Sequence, residues 1–169
     1  GQSSDYFAFG DETYYKDFNI EMTKKLNRKL KLTLTYISQT YNKAQVEGVP
    51  SELIETQIGV IEVLQKLANR KSLRLELQHL WTEQDQKNWA GGLVEFNMAP
   101  HWSIYALDQF NYGGTDEIHY YQGGLAYRNG STRIGANYGR QRGGLLCVGG
   151  VCRFVPSATG LSVSISSTF

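Results

Sequence analysis

Cys147 and Cys152 flank Val148-Gly149-Gly150-Val151, and that spacing defines what the two thiols could do. If Gly149-Gly150 is a two-residue hairpin turn, Val148 and Val151 close it as a hydrogen-bonded pair. The cysteines are then the next, non-hydrogen-bonded pair, whose Cα atoms lie ~4.5 Å apart, within disulfide range. The expected bridge staples a loop tip, and so small a ring contributes roughly 2 kcal/mol in the chain-entropy model. The rival is a redox or metal pair, which lacks a second cysteine pair and a nearby histidine. A disulfide would imply an oxidising, exported location.

The other reactive residues make no constellation. His79, His101 and His119 share no ligand spacing, so no metal site is expected. There is no Ser-His-Asp spacing, Gly-rich phosphate loop or isolated carboxylate pair. The chain therefore reads as a non-enzyme with no catalytic residue and no cofactor, the enzymatic rival being an outer-membrane hydrolase built from lumen or rim residues. Lys+Arg number 17 and Asp+Glu 16, a net charge of +1. That balance gives no electrostatic footprint for nucleic acid.

What must position these groups is a series of zigzag segments. The last one, Gly160 to Phe169, alternates Leu161, Val163 and Ile165 with Ser162, Ser164 and Ser166, and ends on a ring. A period of two gives an extended strand one apolar and one polar face. In an outer-membrane barrel the apolar face meets lipid and the polar face the lumen. Phe169 then serves as the terminal barrel signal. No apolar run approaches the ~18 residues of a membrane helix, but a barrel strand needs only ~9–11.

The same pattern runs along the chain. Strands are expected at about 14–25, 30–42, 54–67, 72–83, 89–98, 102–111, 117–128 and 132–142, with residues 1–13 a loop or partial strand. Leu30, Leu32 and Leu34 alternate with Lys31, Thr33 and Thr35; Leu73, Leu75 and Leu77 with Arg74 and Glu76. Segment 54–67 also fits a helical stripe through Ile54, Ile58, Ile61 and Leu64. It is read as a strand because the chain must return between two long loops, and its β-branched residues allow it. Residues 143–159 are expected as a long loop.

Connections after 26, 67, 98 and 128 are short; those after 42, 83, 111 and 142 are longer and more polar. Outer-membrane barrels have this asymmetry. The whole chain, 1–169, therefore reads as one all-β domain, an antiparallel up-and-down transmembrane β-barrel with about 8–10 strands visible. The count is nine, whereas single-chain bacterial barrels have an even number. Residues 5–13 could add a strand, the chain could be the C-terminal portion of a larger barrel, or another chain could close the sheet. The larger-barrel reading is preferred.

The run Arg74-Leu75-Glu76-Leu77-Gln78-His79-Leu80-Trp81, with Gln84 to Trp89 after it, resembles an uncharacterised outer-membrane β-barrel family of Bacteroidota. So does Gly143 to Pro156, with Cys-Val-Gly-Gly-Val-Cys its most specific part, followed by the serine-alternating strand. The resemblance covers roughly the last hundred residues. It implies location and fold, and no activity. Ser167 departs from the general barrel end signal, where an apolar residue is frequent.

Leu30, Leu32, Leu34, Leu73, Leu75, Leu77, Leu161, Val163 and Ile165 are thus expected to face lipid. Lys31, Arg74, Glu76, Glu95, Arg128 and Arg133 are expected to face the lumen, as a filling charge network or as a pore lining. Tyr14, Tyr15, Trp81, Trp89, Trp102, Tyr112, Tyr120 and Tyr121 lie near strand ends, where girdles would sit. The expected partners are the lipid bilayer, the barrel assembly machinery and further strands or another chain. The expected role is structural, accessory or channel-forming in a Gram-negative outer membrane. The alternative is a soluble exported β-domain that binds a ligand or protein partner.

Overall fold

In the computed structural model, residues 15–42, 53–84, 86–115, 117–148, 151–155 and 157–168 are described, for 144–155 by backbone alone. Tyr14, expected as a girdle ring, residues 1–13, expected as a loop or partial strand, and Phe169, expected as a terminal signal, lie outside them. The strands are β1 (Tyr15–Lys25), β2 (Leu30–Asn42), β3 (Leu53–Lys66), β4 (Lys71–Trp81), β5 (Trp89–Met98) and β6 (Trp102–Asn111). They continue as β7 (Ile118–Asn129), β8 (Thr132–Gln141), β9 (Gly144–Val148), β10 (Val151–Val155) and β11 (Ala158–Ser167). Among the described residues there is no helix. Segment 54–67 is a strand, so its helical stripe loses to the pairing it gains on both sides, with β2 and β4.

Nine strands form one antiparallel sheet in the order β1-β2-β3-β4-β5-β6-β7-β8-β11. Each strand pairs with its sequence neighbour until β8, which pairs with β11 across the β9–β10 hairpin. The expected long loop at 143–159 thus contains that separate two-stranded hairpin. Its register places Val151 opposite Val148 and Cys152 opposite Cys147, the pairing that the spacing implied.

The sheet is open, which departs from the expected closed barrel: β1 and β11 are both edges. In a nine-strand antiparallel meander the first and last strands run the same way. Joined to each other they would make a parallel seam. An all-antiparallel closure therefore needs an odd number of further strands.

The short connections are tight. Asn69 and Arg70 have φ of 58° and 57°, and the Lys71 amide donates to the Ala68 carbonyl at 3.3 Å. Positive φ at both central residues is the type I′ geometry that follows strand twist. After β7 the two-residue turn is Gly130-Ser131, since Asn129 pairs with Thr132. Gly130, at φ 58°, takes the position that disfavours a Cβ.

The described residues form no layered core. Ile54 and Ala126 are the only buried apolar side chains among the described residues. A stable domain ordinarily packs its apolar faces against a second layer, and this sheet presents both faces uncovered.

Candidate functional site

Residues directly opposite in an antiparallel pair share a face, so the registers sort every side chain. One continuous row runs Leu32, Val63, Leu75, Val94, Ala106, Gly123, Tyr138, Leu161. Flanking rows on the same face carry Leu34, Ile61 and Leu77, and Leu30, Leu73, Phe96, Ile104, Leu125 and Val163. Ile165 joins through Ile134, Tyr127 and Trp102. Every aliphatic residue expected to face lipid lies on this one face. It is exposed: Leu77 64%, Leu161 71% and Ile165 72%.

Rings edge this face at both ends. At the short-turn end, Trp102 and Tyr127 have centroids 4.8 Å apart, and His101 stacks on Tyr127 at 5.6 Å. At the long-loop end, His79 lies 4.1 Å from Trp81 and hydrogen-bonds the Tyr112 hydroxyl at 2.6 Å. Phe110 stacks on His119 at 4.1 Å. From Trp102 to Phe110 along β6 is about 26 Å at ~3.3 Å per residue. A strand tilted ~40° would span ~20 Å of membrane normal, near the ~25 Å apolar band of outer-membrane barrels. Polar residues interrupt the pattern: Gln65 stands between Leu30 and Leu73, Lys24 opposite Leu32 and Lys71 opposite Met98. Asp108 sits on this face opposite Gly92 and Tyr121, its Oδ2 2.6 Å from His119 Nδ1.

Three of the expected girdle rings lie elsewhere. Trp89 pairs with Leu80 and Asn111, Tyr120 with Gln109, and Tyr15 with Tyr41, all on the opposite face. Nearness to a strand end fixes height and not side, so these rings do not edge the apolar face. Trp81, Trp102 and Tyr121 do stand on the apolar face.

The opposite face carries the charges. Lys31, Arg74, Glu76, Glu95, Arg128 and Arg133 all project there by register. Their centre is Arg74, which bonds Glu76 Oε2 through Nη2 at 2.7 Å and Glu95 Oε2 through Nη1 at 3.3 Å. Its Nε lies 3.1 Å from Glu62 Oε2. The Asn97 amide donates to Glu95 Oε1 at 2.7 Å. Glu62 and Glu76 are directly opposite each other, a repulsive pairing that the guanidinium between them offsets. One guanidinium thus holds three carboxylates, so this patch stays anionic.

Glu62 was not among the expected charges. Its signal was present, since it alternates with Ile61 and Val63, but segment 54–67 also read as a helix. Arg128 and Arg133 face each other with no carboxylate partner among the described residues. Lys31 has no ion-pair partner there either.

The tightest packing over glycines lies on this charged face, although Trp81 also lies 3.2 Å from where a Cβ on Gly59 would stand on the apolar face. A Cβ on Gly124 would lie 2.3 Å from the Tyr105 ring, and one on Gly91 would lie 2.7 Å from the Gln78 amide. On the apolar face a Cβ on Gly92 would meet only Leu77, at 3.6 Å. Long polar side chains therefore lie flat over glycines on one side of the sheet.

No group of His, Cys, Asp or Glu among the described residues could hold a metal ion, and no helix is long and apolar enough to cross a membrane. The fold and its two faces define a class: an amphipathic antiparallel sheet, apolar on one side and ion-paired on the other. The chain belongs to DUF6029, a family of unknown function whose model matches residues 1–169. No curated protein and no solved structure matches it.

Proposed function

We propose that this sheet is a section of the wall of an antiparallel transmembrane β-barrel in a Gram-negative outer membrane, with a structural, accessory or channel-forming role. One observation carries the reading: an entire face of aliphatic side chains is exposed and edged by rings at both ends. Monomeric soluble proteins rarely expose apolar patches beyond a few hundred Å², and lipid is the medium that such a face fits. The charged face is then the lumen side. The resemblance to the Bacteroidota family supports the same location.

Closure follows from parity. The partner is an odd number of strands from outside the described residues, those next to β1 and β11 running opposite to them. β11 has neither proline nor charge along Ala158–Ser167, the devices that blunt a free edge, so it is built to be paired. A second copy does not supply the strand in a membrane. Pairing β11 with its own copy antiparallel would turn that copy upside down in the bilayer. The Cys147–Cys152 bridge, at the tip of the β9–β10 hairpin, belongs to the outer side.

A second reading, a soluble exported β-domain whose apolar face is covered by a partner, is favoured by Asp108, since a carboxylate costs free energy at a lipid surface. Detergent dependence separates the two. The barrel section should be monodisperse only in detergent or lipid, and a chain that stays monodisperse in buffer contradicts it. Conductance in planar bilayers would then distinguish a channel from a filled wall.

A further inference from the structure

At the long-loop end, two arginines lie against two stacked rings of the charged face, Arg140 reaching its ring from a backbone position that shares register parity with Tyr138. The Arg142 guanidinium carbon is 4.6 Å from the Trp89 ring centroid, and that of Arg140 is 5.4 Å from Tyr120. Trp89 and Tyr120 are themselves stacked, with centroids 5.7 Å apart and an interplanar angle of 24°. Neither guanidinium has an ion pair or hydrogen bond to a described residue. Stacking holds a guanidinium by its faces and leaves its N–H edge unspent. An unspent planar edge matches a carboxylate bidentately.

A cavity of about 130 Å³ opens beside Arg142, between Gln78, Gln109, Trp89 and Gly91. The absence of a Cβ at Gly91 lets Gln78 lie across the floor. The two amides there can donate to and accept from hydroxyls, which a neutral apolar ligand would leave unused. The Arg74 carboxylates are about 20 Å away along the strands, as Arg74 pairs with Glu95 and Leu80 with Trp89. They neither occupy nor neutralise this end of the face.

We propose that this cavity binds a small hydroxylated carboxylate, with Arg142 holding the carboxylate and Gln78 and Gln109 its hydroxyl groups. Trp89 keeps the guanidinium oriented, and Arg140 raises the local positive potential. The site lies on the charged face, so it does not depend on what covers the apolar one.

Glucuronate and glucose are suitable probes, since they differ in having or lacking the carboxylate. Titration calorimetry on the folded chain, in detergent or in buffer as its solubility requires, should show saturable binding of glucuronate and at least tenfold weaker binding of glucose, on the order of one lost charged contact. Arg142→Gln should weaken glucuronate binding at least about tenfold and leave glucose unchanged. Arg142→Lys keeps the charge without the planar fork and should fall between. Gln109→Ala, which leaves the arginine stack in place, should weaken both sugars, and it keeps the test decisive if the Arg142 variants do not fold. Equal affinity for the two sugars, no saturable binding of glucuronate, or full affinity in Arg142→Gln would overturn the proposal.

Discussion

The two faces of this sheet solve opposite problems with the same backbone. On the charged face, glycines admit neighbours across their surface: Tyr105 lies over Gly124 and Gln78 over Gly91. Polar ends there meet partners, as Arg74 does with Glu62, Glu76 and Glu95. On the apolar face the rows of Leu, Val and Ile reach outward and are largely exposed, and rings in contact with one another gather near the ends. The contrast teaches that side-chain specificity in this molecule is concentrated on one side. The other side needs only to be apolar, which is what a fluid medium such as acyl chains asks of it.

Substitutions that swap the two environments test this contrast. Leu34→Arg on the apolar face should cost about 2–4 kcal/mol in a lipid folding assay if it sits near mid-bilayer. Thr35→Arg, one step along on the charged face, should cost under about 1 kcal/mol in the same assay. Equal costs would dissolve the distinction between the faces.

Removing the cation from the charged face comes next. Arg74→Met leaves three carboxylates without their shared partner and should lower stability by about 2–3 kcal/mol in denaturant titration, less than for a fully buried pair because the side chain is 34% exposed. A double Cys147→Ser, Cys152→Ser variant should lose about 2 kcal/mol through the unfolded state. Thiol titration of the unfolded, unreduced protein should detect no free thiol.

The smallest effect is a matched pair of glycines. Gly124→Ala must displace the Tyr105 ring and should cost about 1–2 kcal/mol. Gly92→Ala, on the apolar face, meets only ordinary contact with Leu77 and should cost under about 0.5 kcal/mol.

Much of this was legible in the chain, because period-two alternation encodes face directly. Leu30, Leu32 and Leu34 against Lys31 and Thr33 left no doubt about side. The cysteine register followed from Gly149-Gly150 in the same way. Height without side misled for Trp89 and Tyr120, whose place near strand ends suggested a girdle while their register put them among the charges. Glu62 was obscured because Ile54, Ile58, Ile61 and Leu64 satisfy a helical period as well as a strand. Arg140 and Arg142 were overlooked because only folding brings β8 and its loop to the Trp89 and Tyr120 rings. Closure was legible only as a parity problem, since nine strands call for an odd number more without saying how many or where they come from.

Nitroxide accessibility at two adjacent sites of β4 tests most directly whether the apolar face meets lipid. With the native cysteines replaced, a label at Leu77→Cys in reconstituted protein should be reached by oxygen and shielded from an aqueous nickel chelate. A label at Gln78→Cys should show the reverse. Free access of the chelate to position 77, or exclusion of both reagents from it, would contradict a lipid-facing surface.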